Sequence, residues 1–128
     1  MVLGVGVDII DINRIRNVIN KYGNKFKQRC FHEYEILRSE SKINSVESYA
    51  KRYAAKEACA KALGTGLARG VFWKDIEVKN NKFGKPYIRL HNNALKLLKE
   101  NKIKPKIEVS LTDEKDFAIA NVIISHEN

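Results

Sequence analysis

The sequence predicts an α+β fold in which a mostly antiparallel sheet packs on one long helix and several short ones. Two observations point to this class. Residues 45–63 form a long alanine-rich helical pattern, and two pairs of β-like segments are each joined by a short polar turn. The length of 128 residues suits one domain, which we place at 1–128, with enough chain to bury a core.

The N-terminal segment 2–10 is rich in Val and Ile and predicts a buried strand. Gly4 and Gly6 mark positions where another element can approach its backbone closely. Asp11 is placed to cap the helix that follows, and Gly23 to end it. The apolar face of this helix carries Ile12, Ile15, Ile19 and Tyr22.

The middle of the chain carries the longest helix, at 45–63, after a short helix expected around 33–37. Asn44 is placed to cap the long helix, with Glu47 reaching back as in a capping box, and Gly64 is placed to close it. Small side chains line this helix, so that another backbone can pack close to it. They are Ala50, Ala54, Ala55, Ala58, Ala60 and Ala62.

The C-terminal half predicts two hairpins separated by a short helix that Asn92 can cap. Pro86, near the start of one strand, favours an edge or strand-start position because proline cannot donate to a ladder. The strands are predicted at 72–79 with 85–90, and at 107–111 with 117–125.

Charge is the unusual feature of the composition. Lys and Arg total 24 against 15 Asp and Glu, a net charge of +9, which predicts an anionic partner: nucleic acid, a phosphorylated small molecule, an acidic protein or a membrane surface. Residues 12–29 hold six basic side chains and no acidic one, and 79–106 hold nine against Glu100. The first run predicts an anion-facing surface, although a solvated surface accounts equally well for any single lysine.

Several classes of protein are not expected. Cys30 and Cys59 are too few for a disulfide scaffold, which favours reduced thiols and a cytoplasmic protein. No apolar run is long enough to span a membrane, and the N-terminus lacks the pattern of a secretory signal. The three histidines are scattered without metal-ligand spacing and are interpreted as surface residues: His32, His91 and His126.

Two carboxylates stand in apolar surroundings. Asp8 ends an apolar strand, where it needs a base, a backbone cap or a metal, and capping the next helix is the simpler alternative. Glu57 faces the Ala- and Tyr-bearing side of the long helix, where a pair with Lys61 also accounts for it. Together the two carboxylates suit Mg²⁺, which takes one or two protein carboxylates and completes its shell with water and phosphate oxygens.

Basic and glycine residues surround Glu57 in the sequence. Arg52, Lys56 and Lys61 flank it on the same helix and are candidates to neutralise a phosphate chain. The segment 64–66, Gly-Thr-Gly, could let a phosphate approach backbone N–H groups, although it lacks the pattern of a P-loop.

Ordered motifs extend over nearly the whole chain. They are 4–10 with Arg14 and Ile15, 52–58 continuing to 61–66, 73–78 with 84–86, and 110–112 with 118–120. The most specific is Lys56-Glu57-Ala58 with an upstream Gly-x-Asp that ends at Asp8. In order and spacing these motifs resemble the holo-[acyl-carrier-protein] synthases, the small bacterial 4′-phosphopantetheinyl transferases.

The resemblance implies a 4′-phosphopantetheinyl transferase-like fold and an enzyme of fatty acid biosynthesis. The implied reaction transfers 4′-phosphopantetheine from coenzyme A (CoA) to a serine of apo acyl carrier protein and releases adenosine 3′,5′-bisphosphate. The family is typically a homotrimer with active sites between protomers. We therefore expect CoA and acyl carrier protein as partners, and neither nucleic acid nor a membrane.

The resemblance also implies residue roles. Asp8 and Glu57 match the family's Mg²⁺ ligands, with Mn²⁺ as an alternative ion, and Lys61 matches a catalytic position near the phosphates. Glu57, directly or through a bound water, is the candidate base for the serine. The expected CoA contacts are Arg52, Lys56, Lys61, Gly64, Gly66, Gly84, Lys85, Pro86, Ser110 and Asp113. Arg14 matches a carrier-protein contact, and proximity adds Lys21, Lys25 and Arg29.

Two departures and two alternatives accompany this hypothesis. Asp113 stands where many members carry a histidine, and His32 stands where a threonine is usual. A small basic nucleic-acid-binding module would explain the charge, but it has no need for Asp8 and Glu57 in apolar settings, and no RNA-recognition or helix-turn-helix motif is visible. Another Mg²⁺-dependent nucleotide transferase would keep the chemistry and change the substrate.

Overall fold

A computed structural model describes residues 1–67, 70–99 and 104–126, so Glu100 and Lys102 of the basic stretch lie outside the described residues. Strands and helices follow one another with short connections. In chain order the elements are β1 (Val2–Asp11), α1 (Ile12–Tyr22), α2 (Asn24–Cys30), α3 (Glu33–Glu40), α4 (Ser45–Ala62), a 3-10 helix (Trp73–Asp75), β2 (Ile76–Asn80), β3 (Pro86–Leu90), α5 (Asn92–Lys99), β4 (Pro105–Glu114) and β5 (Phe117–His126).

The strands form two antiparallel sheets. β1, β5 and β4 make a three-stranded sheet with β5 in the centre, and β2 pairs with β3 as a separate ribbon. Val122 of β5 stands opposite Gly6 on one side and Val109 on the other. The face of the larger sheet that carries these residues packs on α4, whose alanines are all buried. The predicted α+β architecture with antiparallel strands is confirmed.

Two glycines set the contact between β1 and α4. A Cβ at Gly4 would lie 1.9 Å from the Ala62 carbonyl oxygen, and one at Gly6 would lie 1.8 Å from that of Ala58. Two residues along a strand and four along a helix both span roughly 6 Å, so strand and helix stay in step. The sequence prediction of a close backbone approach at these glycines is confirmed, and α4 is the element that approaches.

Some of the predicted helix caps are confirmed and one is wrong. Asp11 accepts a hydrogen bond from the Asn13 N–H at 2.8 Å and caps α1, which ends at Gly23 as predicted. Gly64, with φ at +84°, follows the last turn of α4 as predicted. Asn44 occupies the N-cap position of α4 as predicted, but the predicted capping box is wrong: the Asn44 side chain makes no cap bond, and Glu47 pairs with Arg16 of α1 instead of reaching back.

Two other local predictions are corrected. Helix α2 is not apparent from the sequence, because its residues, Asn24–Cys30, carry no regular apolar stripe. The strand predicted at 72–79 begins as the 3-10 helix Trp73–Asp75, because the Asp75 carboxylate accepts a hydrogen bond from the Phe72 N–H at 3.1 Å and holds a turn there.

One face of the larger sheet is open in the protomer. Val5, Val7 and Ile9 are 58–60% exposed, and they share this face with Phe117 and Ile123 of β5. The prediction of a wholly buried first strand is therefore wrong for the isolated chain, because only the α4-facing side of β1 is covered. Among the described residues, no helix has the length and apolar character needed to cross a membrane.

Candidate active site

Asp8 and Lys61 meet where β1 crosses the last turn of α4. The Lys61 ammonium donates to Asp8 Oδ1 at 3.1 Å and to the Val7 carbonyl oxygen at 3.0 Å. The Asp8 side chain is 15% exposed and the Lys61 side chain 51% exposed. The glycine contacts hold the strand on the helix here, so the carboxylate sits at a fixed place beside a solvent-accessible cation.

Glu57 lies one helical turn before Lys61 and is partly buried. Burial raises the pKa of the Glu57 carboxyl, and the negative charge of Asp8 raises it further. The opposing influences on this pKa are the charges of Lys61 and Arg14 and a hydrogen bond with Tyr53. Asp8, Glu57 and Lys61, named here the carboxylate cluster, are thus brought together as the sequence predicts.

The donor set of the carboxylate cluster fits a hard divalent cation. Burial is the main cause of the raised pKa of Glu57, and repulsion from the nearby Asp8 carboxylate adds to it. A cation bound between them would relieve this repulsion, and Mg²⁺ prefers such oxygen ligands with open positions for water or phosphate. Arg14, expected to contact the carrier protein, also acts on Glu57 from α1.

Lys56 is corrected by the structure: it does not face a phosphate site. Its side chain and that of Glu35 are both 0% exposed, with Nζ 2.8 Å from Glu35 Oε1. The ammonium also donates to the carbonyl oxygens of Trp73 and Ile76. Burial lowers the pKa of Lys56, against the charge and hydrogen bond of Glu35. Because an ammonium has three donors and all three are used, Lys56 is a core anchor.

The prediction that backbone N–H groups of the glycine segment 64–66 are open to a phosphate is also corrected. Its backbone N–H groups point back at the helix: Gly64 donates to the Lys61 carbonyl, and Gly66 donates to the Ala60 carbonyl at 3.1 Å. These bonds close α4, as in other glycine-ended helices. In this conformation the N–H groups of Gly64 and Gly66 are therefore not available to bind a CoA phosphate.

A second site, rich in basic residues, lies away from the carboxylate cluster, toward the N-terminal half of α4. A cavity of about 590 Å³ is lined by three predicted CoA contacts, Arg52, Gly84 and Asp113. Arg52 is nearly buried and donates to the Val78 carbonyl and to Asn80 Oδ1, so part of its guanidinium is already engaged. The Lys51 ammonium lies 3.1 Å from Asp113 Oδ1 across this cavity.

The same cavity contains basic residues that the sequence does not single out, namely Arg38, Lys42 and Lys51. They follow no motif, and they come together because the end of α3 lies beside the start of α4. Of the three, Lys51 could have been suspected from the sequence, since it directly precedes Arg52, a predicted phosphate contact on the same helix. We call this region the basic cavity.

The remaining predicted CoA contacts are dispersed. Lys85 is exposed and lies 3.7 Å from Glu108 Oε2, and Pro86 opens β3. Ser110 stands opposite Asn121 on the exposed face of the larger sheet, away from α4. In one protomer these residues do not join either the carboxylate cluster or the basic cavity.

The predicted carrier-binding residues lie on two consecutive helices. Arg14, Lys21, Lys25 and Arg29 are all exposed on α1 and α2. Between the two helices lies a cavity of about 440 Å³, whose lining combines Lys25 and Arg29 with apolar side chains. The apolar part comprises Val18, Tyr22 and Phe26.

Comparison with known proteins assigns the class. Residues 4–122 match the model of the 4′-phosphopantetheinyl transferase superfamily. The chain belongs to this family, which confirms the resemblance seen in its motifs.

Within the family, the chain is similar to holo-[acyl-carrier-protein] synthases. The protein of that name from Rhizobium meliloti is 47% identical over 125 residues, covering 97% of this chain and 90% of that protein. The crystal structure of the Neisseria meningitidis enzyme matches with a TM-score of 0.87 at 36% identity, covering 98% and 99% of the two chains. The Helicobacter pylori enzyme in complex with coenzyme A matches at 0.83 and 30% identity, covering 94% and 99%.

Proposed function

We propose that this chain is a holo-[acyl-carrier-protein] synthase, which transfers 4′-phosphopantetheine from CoA to a serine of apo acyl carrier protein. The observation that carries the proposal is the carboxylate cluster, in which two acids and a lysine are held at the contact of β1 with α4. Relatives with this name match nearly the whole chain, and one matching structure contains coenzyme A.

The reaction is a phosphoryl-type substitution. The serine oxygen forms a bond to the phosphorus that carries pantetheine, and the bond from that phosphorus to the bridging pyrophosphate oxygen breaks. Adenosine 3′,5′-bisphosphate leaves with the electron pair, and the serine proton passes to a base. Glu57 is our candidate for this base, directly or through a bound water, because it is partly buried beside Asp8 and lies one helical turn before Lys61.

Lys61 and the metal ligands have separate tasks. Asp8 and Glu57 would hold Mg²⁺, which when bound supplies positive charge against the phosphate oxygens. Lys61 is exposed and already directed at Asp8, so it can turn its ammonium to the charge that develops on the leaving group. Mn²⁺ is an alternative occupant, because it accepts the same oxygen ligands.

The active form is proposed to be a homotrimer with sites between protomers. The exposed face of the larger sheet carries Val5, Val7, Ile9 and Phe117, an apolar surface of the kind that marks contact with another chain. The basic cavity and the carboxylate cluster have no residue in common within one protomer. In a trimer, the basic cavity of one protomer could lie beside the carboxylate cluster of its neighbour. Analytical ultracentrifugation that gives a monomer at assay concentrations would contradict this.

The acidic carrier protein is proposed to dock on α1 and α2. The exposed basic residues and the cavity between these helices offer charge and an apolar recess together. Arg14→Glu should raise the KM for carrier protein several-fold more than the KM for CoA, and the difference should shrink as salt rises, because exposed charges are screened. Equal changes in both KM values would exclude docking at Arg14.

One assay tests the function as a whole. Incubation with CoA, Mg²⁺ and apo acyl carrier protein should increase the mass of the carrier by one phosphopantetheine, as measured by mass spectrometry. A folded sample that gives no increase would refute the proposal. The role in fatty acid biosynthesis and the cytoplasmic location stay predictions from the sequence.

A further inference from the structure

We propose that His32, Glu77 and His91 form a second metal site, which binds a transition-metal ion of the Zn²⁺ class. The three residues lie far apart in sequence, on the N-terminal end of α3, on β2 and just after β3. Their candidate ligand atoms all lie within 4.8 Å of one another. The site shares no residue with the carboxylate cluster and differs from it in chemistry, because two of its three ligands are imidazoles.

The imidazole rings are already arranged around the acid. The two ring centroids are 4.7 Å apart with 35° between the planes. His91 Nε2 lies 2.8 Å from Glu77 Oε1. Ligand atoms in a tetrahedral zinc site lie roughly 3.4 Å apart, so the widest gap must close by little more than about 1 Å. Both histidines are partly exposed and have room to make this adjustment.

A hydrogen bond to the backbone orients the His32 ring. His32 Nε2 lies 2.6 Å from the Lys74 carbonyl oxygen, which can only accept, so Nε2 carries the proton and the neutral ring keeps its lone pair on Nδ1. A ring nitrogen that donates to a carbonyl while the other binds metal is the usual arrangement of a metal-bound histidine. The backbone N–H of His91 donates to the Asp75 carbonyl oxygen at 2.7 Å.

Glu77 supplies the negative charge. The residue is 6% exposed, so its carboxylate is nearly removed from water. A buried carboxylate that is hydrogen-bonded to one imidazole and lies beside a second matches the ligand set of open zinc sites, which leave a fourth position for water.

An ion here would join three elements. It would tie the start of α3 to the β2–β3 ribbon, beside the buried pair that Glu35 of α3 makes with Lys56. We therefore expect the bound ion to stabilise the fold without entering the transfer reaction. This inference does not depend on the proposed function, since binding and unfolding are measured without CoA or carrier protein.

Titration calorimetry of the full chain with Zn²⁺ tests the site. With excess Mg²⁺ present to occupy the carboxylate cluster, the expected result is one Zn²⁺ per chain and a higher unfolding temperature with Zn²⁺ than with a chelator. His32→Thr and His91→Gln should each weaken binding by at least about 100-fold, because even partners outside the ligand shell contribute 10- to 100-fold to metal affinity. Threonine suits the N-cap position of α3 that His32 occupies.

Two matched variants locate the ion. His126→Gln removes the third histidine of the chain and should leave Zn²⁺ affinity unchanged, and Glu57→Gln should do so as well. Binding that survives His32→Thr, or that Glu57→Gln abolishes, would overturn the proposal, as would the absence of stoichiometric binding to the native chain. If His91→Gln fails to fold by circular dichroism, His32→Thr alone decides the outcome.

Discussion

Helix α4 carries two lysines, five residues apart, that each meet a carboxylate in very different surroundings. Lys56 pairs with Glu35 in the core, where both side chains are 0% exposed and every ammonium donor is used. Lys61 pairs with Asp8 at the surface and is half exposed. Both lysines belong to the same sequence motif, but only Lys61 is accessible to solvent and has an ammonium hydrogen free to bind a substrate. Exposure and free hydrogen-bond donors therefore identify a lysine that can take part in the reaction better than the motif does.

The largest effect is expected on the exposed side of this comparison. Glu57→Gln should lower transfer by at least about 10³-fold, since it removes both a base and a metal ligand. The unfolding temperature should stay the same or rise, because burial and Asp8 already disfavour the ionised carboxyl. Carrier mass spectrometry and thermal unfolding measure the two quantities. Transfer at the native rate would remove Glu57 from the site.

The buried pair should show the opposite pattern. Lys56→Met leaves Glu35 charged and unpaired in the core, and should reduce the free energy of unfolding by about 3–5 kcal/mol. Urea denaturation measures the loss. The double variant with Glu35→Gln is the control, and it should recover much of the loss because no lone charge remains. A single variant within about 1 kcal/mol of the native chain would contradict the structural role.

Lys61→Met is the matched substitution on the exposed side. It should lower kcat by about 10²–10³-fold through lost charge stabilisation, while the free energy of unfolding changes by less than about 1 kcal/mol, as for other exposed pairs. Parallel kinetic and denaturation measurements separate the two lysines. Equal stability losses for Lys56→Met and Lys61→Met would break the comparison.

The smallest expected effect is the change of stability and of Mg²⁺ affinity with pH. The pKa of Glu57 is raised above its ordinary value of 4.5, so the folded chain binds the proton more tightly than the unfolded chain. Without metal, the free energy of unfolding should fall as pH rises from 4.5 through the raised pKa. Mg²⁺ should offset this fall, and its affinity should drop by up to about tenfold per pH unit on acidification.

Calorimetry at several pH values, with Glu57→Gln as the control, checks this prediction. The variant keeps Asp8 but has no titrating group at position 57, so its weaker Mg²⁺ binding should vary less with pH. The same slope in both proteins would assign the effect to another group.

The fold could be predicted where the sequence carries a local signal. The long helix, its end at Gly64 and both hairpins follow from periodicity and turn residues. Helix α2 lacks an apolar stripe and was not predictable in this way. The apolar run of β1 predicts burial, but an apolar run does not say which chain covers it, and in the protomer one face stays open.

The candidate site could be predicted only to the level of the motif. Asp8, Glu57 and Lys61 come together as predicted, because the glycines of β1 and the alanines of α4 fix one register. Lys56 shares the motif but points into the core, since a one-residue step on a helix turns a side chain by about 100°. Arg38 and Lys42 reach the basic cavity through tertiary packing, which no local pattern reports.

The glycine contacts between β1 and α4 have a consequence for the choice of ion. Asp8 and Glu57 are carried by backbones that already touch, so the strand and the helix that hold the two carboxylates cannot move closer together. Mg²⁺ needs oxygen ligands at about 2.0–2.1 Å and Ca²⁺ needs them at about 2.3–2.6 Å. In the proposed metal site, Gly4 and Gly6 would therefore influence which ion fits, although neither has a side chain with which to touch it.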